Sequence, residues 1–261
     1  MPVFEGQGVR LHYEIGGEGP PLILLAGMLS DSASWGPLVA PLEKDFTVIR
    51  PDNRTTGRTT CEGPVRVEDM ADDAGRLINS LGLGPAHIVG HSLGGVLALL
   101  IARDRPQTVR SLALLATSPR PDRRVYALFE GLCRLRKEAD PTWLRALYPW
   151  LFAPPFFDDA RNVEAALVAA SAYPHAQSAV AMEAQVAAFS SFDPASLAPV
   201  PAIPSLAVFG SDDLIAPPSI ASPQLAKLGI TQTVTVNNAG HSLHWDASAA
   251  TLDAFSGLLR P

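Results

Sequence analysis

Apolar and polar residues alternate over positions 9–15: Val9, Leu11, Tyr13 and Ile15 share one parity, Arg10, His12 and Glu14 the other. A period of two predicts a strand with one buried face and turns His12 outward. Turn-forming residues at 16–21 precede Leu22, Ile23, Leu24, Leu25 and Ala26, an unbroken apolar run ending at Gly27. Such a run suits a strand covered on both faces, as in parallel sheets. Helical spacing at about 34–42 leads to a strand at 46–49 and a loop at 50–57. Helical spacing over 67–81 stops at Gly82, a strand covers 87–90, an apolar helix runs over 93–103, and a strand covers 109–116. Strands alternating with helices predict an α/β domain on a parallel sheet.

The alternation breaks at Pro119. From there to about Pro201 the pattern is helical, at 123–138, 141–151, 161–172 and 176–189, with breaks at Asp140-Pro141, Ala153-Pro154-Pro155 and Tyr173-Pro174. This block reads either as a second helical unit or as a lid over a site, and its position between strands favours the lid. The α/β pattern resumes with a strand at 205–209, a helix at 219–228, a strand at 233–236 and a last helix at 247–259. The expected organisation is a core of 1–118 and 202–261 with a helical lid at 119–201. No internal repeat or low-complexity segment interrupts it.

Composition narrows the classes. The 261 residues are 47% apolar and 18% charged, an ordinary globular balance. With 20 basic and 26 acidic residues the net charge is −6, which lacks the basic footprint of a nucleic-acid binder and would not be drawn to an anionic membrane surface. No apolar run approaches the ~18–20 residues of a membrane span. The start lacks the basic and apolar regions of a signal peptide. Cys61 and Cys133 have no partner spacing for zinc or a redox pair. Reduced thiols, a cytoplasmic location, no metal and no cofactor are the expectations.

Three segments at predicted strand ends carry chemistry. Gly90-His91-Ser92-Leu93-Gly94 fits G-x-S-x-G, and its place between a strand and a helix makes it a nucleophile elbow with Ser92 at the tip. A serine hydroxyl needs a base. Of six histidines, His241 and His244 lie beyond the last strand, at the same sheet edge as Ser92; His241, directly after Gly240, is preferred and His244 is the alternative. The base needs a carboxylate to orient it. Asp213 lies beyond the strand end at Gly210 and is preferred to Asp212, whose side chain suits the turn itself; Asp122 is a distant third. Two donors must face the oxyanion: the amide of Leu93 and, after the 22–26 strand, the amide of Met28. Gly27 and His91 adjoin these groups, and the lid supplies Trp143, Trp150 and Phe152; these five are the expected substrate contacts.

The order Ser92, Asp213, His241, together with Leu25-Ala26-Gly27-Met28, Trp35, the 51–58 loop and Gly210–Pro217, resembles the α/β-hydrolase superfamily over nearly the whole chain. The resemblance implies the α/β-hydrolase fold, a mostly parallel sheet flanked by helices with a helical lid after the sixth strand. Two departures stand out. Ala26-Gly27 replaces a common His-Gly, and Asn53-Arg54-Thr55-Thr56-Gly57 lacks a glycine directly after the arginine. Within the superfamily the insert, with Trp150 to Phe156, Gln185, Asp193 and Pro204, looks like that of the enol-lactonase and small-esterase branch. A serine at position 92 excludes the epoxide hydrolases and haloalkane dehalogenases, which use aspartate there.

The expected activity is hydrolysis of a small-to-medium carboxylic ester or lactone through an acyl-enzyme on Ser92. A C–C bond hydrolase or enol-lactonase of aromatic catabolism, with Arg54, Arg58 or Arg120 facing an anionic substrate, is the first alternative. Cofactor-free perhydrolysis and a ligand receptor on the same fold are others. The expected partner is a small-molecule substrate, with no nucleic acid and no membrane insertion; a homodimer stays open.

Overall fold

The structure is a computed structural model, which describes residues 2–138 and 141–259. In chain order the elements are β1 (Val3–Gly6), β2 (Val9–Gly16), β3 (Pro21–Leu25), α1 (Gly36–Leu42), β4 (Thr47–Pro51), β5 (Thr60–Cys61), α2 (Val67–Leu81), β6 (Ala86–His91), α3 (Leu93–Asp104) and β7 (Val109–Leu115). Five helices follow: α4 (Arg123–Leu135), α5 (Thr142–Leu151), α6 (Pro154–Phe157), α7 (Ala160–Ala172) and α8 (Ala179–Ser191). The chain ends with β8 (Ser205–Gly210), α9 (Pro218–Ala226), β9 (Thr233–Val236), α10 (Leu243–Asp246) and α11 (Ser248–Ser256). The break expected at Asp140-Pro141 falls partly outside the described residues, because Asp140 is not among them.

One sheet runs β1-β2-β4-β3-β6-β7-β8-β9, with β5 paired to β2. From β4 to β9 all neighbours are parallel; β1, β2 and β5 pair antiparallel. β3 lies between β4 and β6, so the chain reverses its direction of travel across the sheet there. That reversal opens a crevice beyond the carboxyl ends of β3 and β6, the usual ligand position in open α/β sheets.

Successive residues of β3 face opposite layers, as the two-residue period of a strand demands. Ile23 and Leu25 join a core with Ile88, Met70, Leu77 and Val96, under α2 and α3. Leu22 and Leu24 join the opposite core with Val89, Trp35, Leu38 and Phe255, under α1 and α11. All five residues of β3 are buried, which explains the unbroken apolar run.

The sequence expectations need five corrections, the first being that the helical segment follows the seventh strand, β7, and not the sixth. β1 and β5 are additional strands at the sheet's antiparallel end, too short to show a period. α6 is a one-turn helix within a proline-rich break. A further one-turn helix, α10, precedes the expected last helix and ends at Ala247, whose φ of −142° and ψ of 56° leave the helical region. His12 is buried, because the 52–59 loop covers it: Asp52 N donates to His12 O at 2.9 Å and His12 N to Thr59 Oγ1 at 3.0 Å. Burial lowers its pKa.

Candidate active site

Ser92 stands between β6 and α3 at φ 52°, ψ −115°. This is a strained conformation for a residue with a Cβ, held by Ser92 N donating to Leu115 O at 2.8 Å and by Val96 N and Gly95 N donating to Ser92 O. Small neighbours make the turn possible. A Cβ on Gly90 would run into the Gly94 carbonyl, and one on Gly94 into the Leu25 carbonyl.

Asp213 and His241 lie beyond the carboxyl ends of β8 and β9, on the edge that carries Ser92. His241 Nδ1 donates to Asp213 Oδ2 at 3.0 Å and Oδ1 at 3.1 Å, with both side chains buried. Asp213 Oδ1 also accepts from Ile215 N and Ala216 N, each at 2.8 Å. With the Nδ1 proton directed at Asp213, Nε2 is left as the acceptor nitrogen. Among the described residues Ser92 and His241 share no direct hydrogen bond, a looseness common before substrate binds. Asp212 instead accepts from Ser211 Oγ within its own turn. Asp122 caps α4, accepting from Arg124 N.

His91 departs from the expected substrate contact, and His244, the alternative base, is buried near the start of α10. His91 was expected to touch substrate, but its ring is buried and lines neither cavity described below. It lies 4.9 Å from the His241 ring and 4.6 Å from that of His244, and its Nε2 donates to His241 O at 2.9 Å. His244 packs 5.2 Å from Trp35. Burial, reinforced by the neighbouring imidazoles, holds His91 well below the ordinary range and pushes His244 down to about 3. Both rings are neutral at physiological pH, so His241 has no cationic neighbour among them. Gly27 packs against this group: a Cβ there would lie 2.7 Å from His91 Nδ1.

Met28, Ser92 and Leu93 converge on a small pocket of about 10 Å³, roofed by Val125, Phe129 and Phe189, with room for about one water. Leu93 opens α3, so its N–H has no acceptor one turn earlier. Leu29, the next residue after Met28, faces a second cavity of about 900 Å³ with Trp143, Phe152, Tyr173 and Arg136. Neither Ser92 nor His241 borders it. Trp150 lines neither cavity and packs against Phe129 and Leu147 in a cluster beneath the helices.

Two of the arginines offered to an anionic substrate are engaged elsewhere. Arg54 forms a buried fork with Asp73 at 2.6 and 3.1 Å. Arg58 pairs with Glu14 at 2.8 Å and Asp52 at 3.6 Å. Arg120 N donates to Gln224 Oε1. The sequence reading missed Asp246, whose Oδ2 accepts from Gly240 N at 2.8 Å and Ala153 N at 2.9 Å. One carboxylate thus fixes both the glycine before His241 and the start of α6. Its only sequence signal is an acidic residue shortly after a Gly-His pair.

Residues 20–248 match the model of a family described as the alpha/beta hydrolase fold. The chain is 28% identical over 267 aligned positions to a protein of Azorhizobium caulinodans provisionally named carbamate hydrolase RutD, covering 99% of this chain and 97% of that one. It is similar to the enol-lactonase from Burkholderia xenovorans (25% identity, TM-score 0.85, 99% of each chain). It is also similar to a thermophilic esterase from Thermogutta terrifontis (26% identity, TM-score 0.81, 97% of this chain and 93% of that one).

Proposed function

The chain belongs to the α/β-hydrolase family, and on that premise we propose that it is a serine hydrolase acting on a small-to-medium carboxylic ester or lactone. His241 Nε2 takes the Ser92 hydroxyl proton as Oγ attacks the carbonyl carbon. The amides of Met28 and Leu93 hold the oxyanion. His241, oriented by Asp213, then gives its proton to the leaving alkoxide, and water repeats the sequence on the acyl-enzyme. The observation that carries this reading is the convergence of Met28, Ser92 and Leu93 on one pocket, beside a His241–Asp213 pair buried at the same sheet edge.

The narrow space at Ser92 favours a short acyl group on the serine side. Helices α4–α8 act as the lid in this reading, since Val125, Phe129 and Phe189 roof that space. The similarity to an enol-lactonase and an esterase supports the substrate class, and the RutD likeness adds the carbamate as a carbonyl open to the same attack. The test is a panel of p-nitrophenyl esters from acetate to decanoate, a γ-lactone and a phenyl carbamate, run on the wild type and Ser92→Ala. Preference for acetate or butanoate, abolished in the variant, supports the ester reading. Carbamate turnover exceeding every ester overturns the ester assignment, and full turnover in Ser92→Ala overturns the serine mechanism.

A further inference from the structure

The serine mechanism needs the Met28 amide aimed at the oxyanion. The next residue, Leu29, sits at φ 65°, in the left-handed region that a leucine adopts only when its surroundings impose it. The imposing contact comes from the helical segment. Leu29 N donates to Gln185 Oε1 at 2.8 Å, a contact spanning 156 positions. Gln185 lies on α8 and is wholly buried. A second amide supports it: Gln177 Nε2 donates to Gln185 Oε1 at 3.4 Å and to Thr55 O at 3.0 Å. Thr55 is also left-handed, at φ 71°. From the other side, Asn53 Nδ2 donates to Ala26 O at 3.1 Å. The oxyanion loop is therefore gripped at both ends, by Asn53 before Gly27 and by Gln185 after Met28.

Gln185 also forgoes a bond to do this. Its Nε2 is buried with no partner among the described residues, a costly state for an amide. A glutamine present only to fill the core would be better replaced by an apolar residue of similar volume; the retained acceptor oxygen takes its shortest hydrogen bond from Leu29 N–H. On the basis of the serine-hydrolase reading, we propose that Gln185 is a positioning residue for the oxyanion hole. It holds Leu29 left-handed and so points the Met28 amide at the developing negative charge. Because Gln185 sits on α8, the donor is in place only while the helical segment is seated on the core. Seating of the segment and readiness of the oxyanion hole are then one event.

The test compares Gln185→Met, which keeps the volume and loses the acceptor, with Gln185→Glu, which keeps an acceptor oxygen. On the ester that the wild type turns over best, Gln185→Met is expected to lower kcat by 10- to 100-fold with KM changed less than threefold. Affinity for a phenylboronic acid, whose adduct places an oxygen in the oxyanion site, should fall in parallel. Gln185→Glu should recover kcat to within fivefold of the wild type at pH 8. A Gln185→Met enzyme with wild-type kcat and boronate affinity overturns the proposal, as does a loss in which KM alone rises. If Gln185→Met does not fold, the same boronate and kcat readings on Gln177→Met decide, with a smaller loss expected and none contradicting. A fluorophosphonate probe reports the underlying reading separately: labelling of Ser92 in the wild type with no kcat loss in Gln185→Met refutes the positioning role alone, whereas no labelling of the wild type refutes the serine mechanism.

Discussion

Asp213 and His241 show how much depends on single atoms. The carboxylate receives the Nδ1 proton and two backbone amides, so an amide in its place would present a donor to Nδ1 and select the wrong tautomer. Asp213→Asn should therefore lower kcat by about 10³–10⁴-fold, with unchanged circular dichroism; a loss under tenfold on the p-nitrophenyl panel contradicts the assigned orientation. Gly27 is sensitive for a steric reason. Gly27→Ala places a methyl 2.7 Å from the buried His91 ring, which lies in a group that cannot move without disturbing His241 O. The expected result is a destabilisation of about 1–3 kcal/mol, the ordinary cost of overpacking a tight core, read as a lower midpoint in urea, together with reduced kcat.

At the scale of elements, the strands and loops of the sheet were legible because their constraints are local. The five-residue apolar run of β3 needs both faces covered, and the G-x-S-x-G string needs small residues where Gly90 and Gly94 meet backbone. His241 is preferred to His244 for its loop position, and Asp213 to Asp212 for its position and because Asp212 suits the turn; in the structure His241 and Asp213 meet, while Asp212 stays in its turn. What was not legible depends on contacts between distant segments. Nothing near His12 announces the 52–59 loop that buries it, nothing in the arginine loop announces Asp73 as the partner of Arg54, and nothing in α8 announces that Gln185 reaches Leu29. Asp246 belongs to the same class. Its carboxylate ties the loop before His241 to the α5–α6 connection, so Asp246→Ala leaves Gly240 N and Ala153 N without their acceptor. A loss of about 1–3 kcal/mol is expected from two partly buried amides, with reduced kcat; a purely thermal effect with wild-type kcat would separate this contact from the site.

Across the whole molecule, the buried histidines couple stability to pH. His12, His87, His91 and His244 all have pKa values lowered mainly by burial, with His244 near 3. In the unfolded chain each titrates near 6.5, so below that pH the unfolded state binds protons that the folded state refuses, and stability is lost as pH falls from 6.5 toward the folded values. For His244 alone, 1.5 pH units at 1.36 kcal/mol each give about 2 kcal/mol lost between pH 6.5 and pH 5. Urea unfolding at the two values should show a smaller pH-dependent loss in His244→Phe than in the wild type, by about that amount; equal losses would mean that His244 is protonated in the native state. Among the described residues no helix is long and apolar enough to cross a membrane.

Covalent acylation of Ser92 is tested by trapping the acyl-enzyme itself. The enzyme would be mixed with p-nitrophenyl acetate, quenched in acid within milliseconds, digested, and its peptides weighed. The expected result is an acetyl group on the peptide containing Ser92, at up to one equivalent per chain, absent in Ser92→Ala and accumulating more slowly in Asp213→Asn. Turnover of the ester without an adduct on Ser92, or with the acetyl group on another residue, would contradict it.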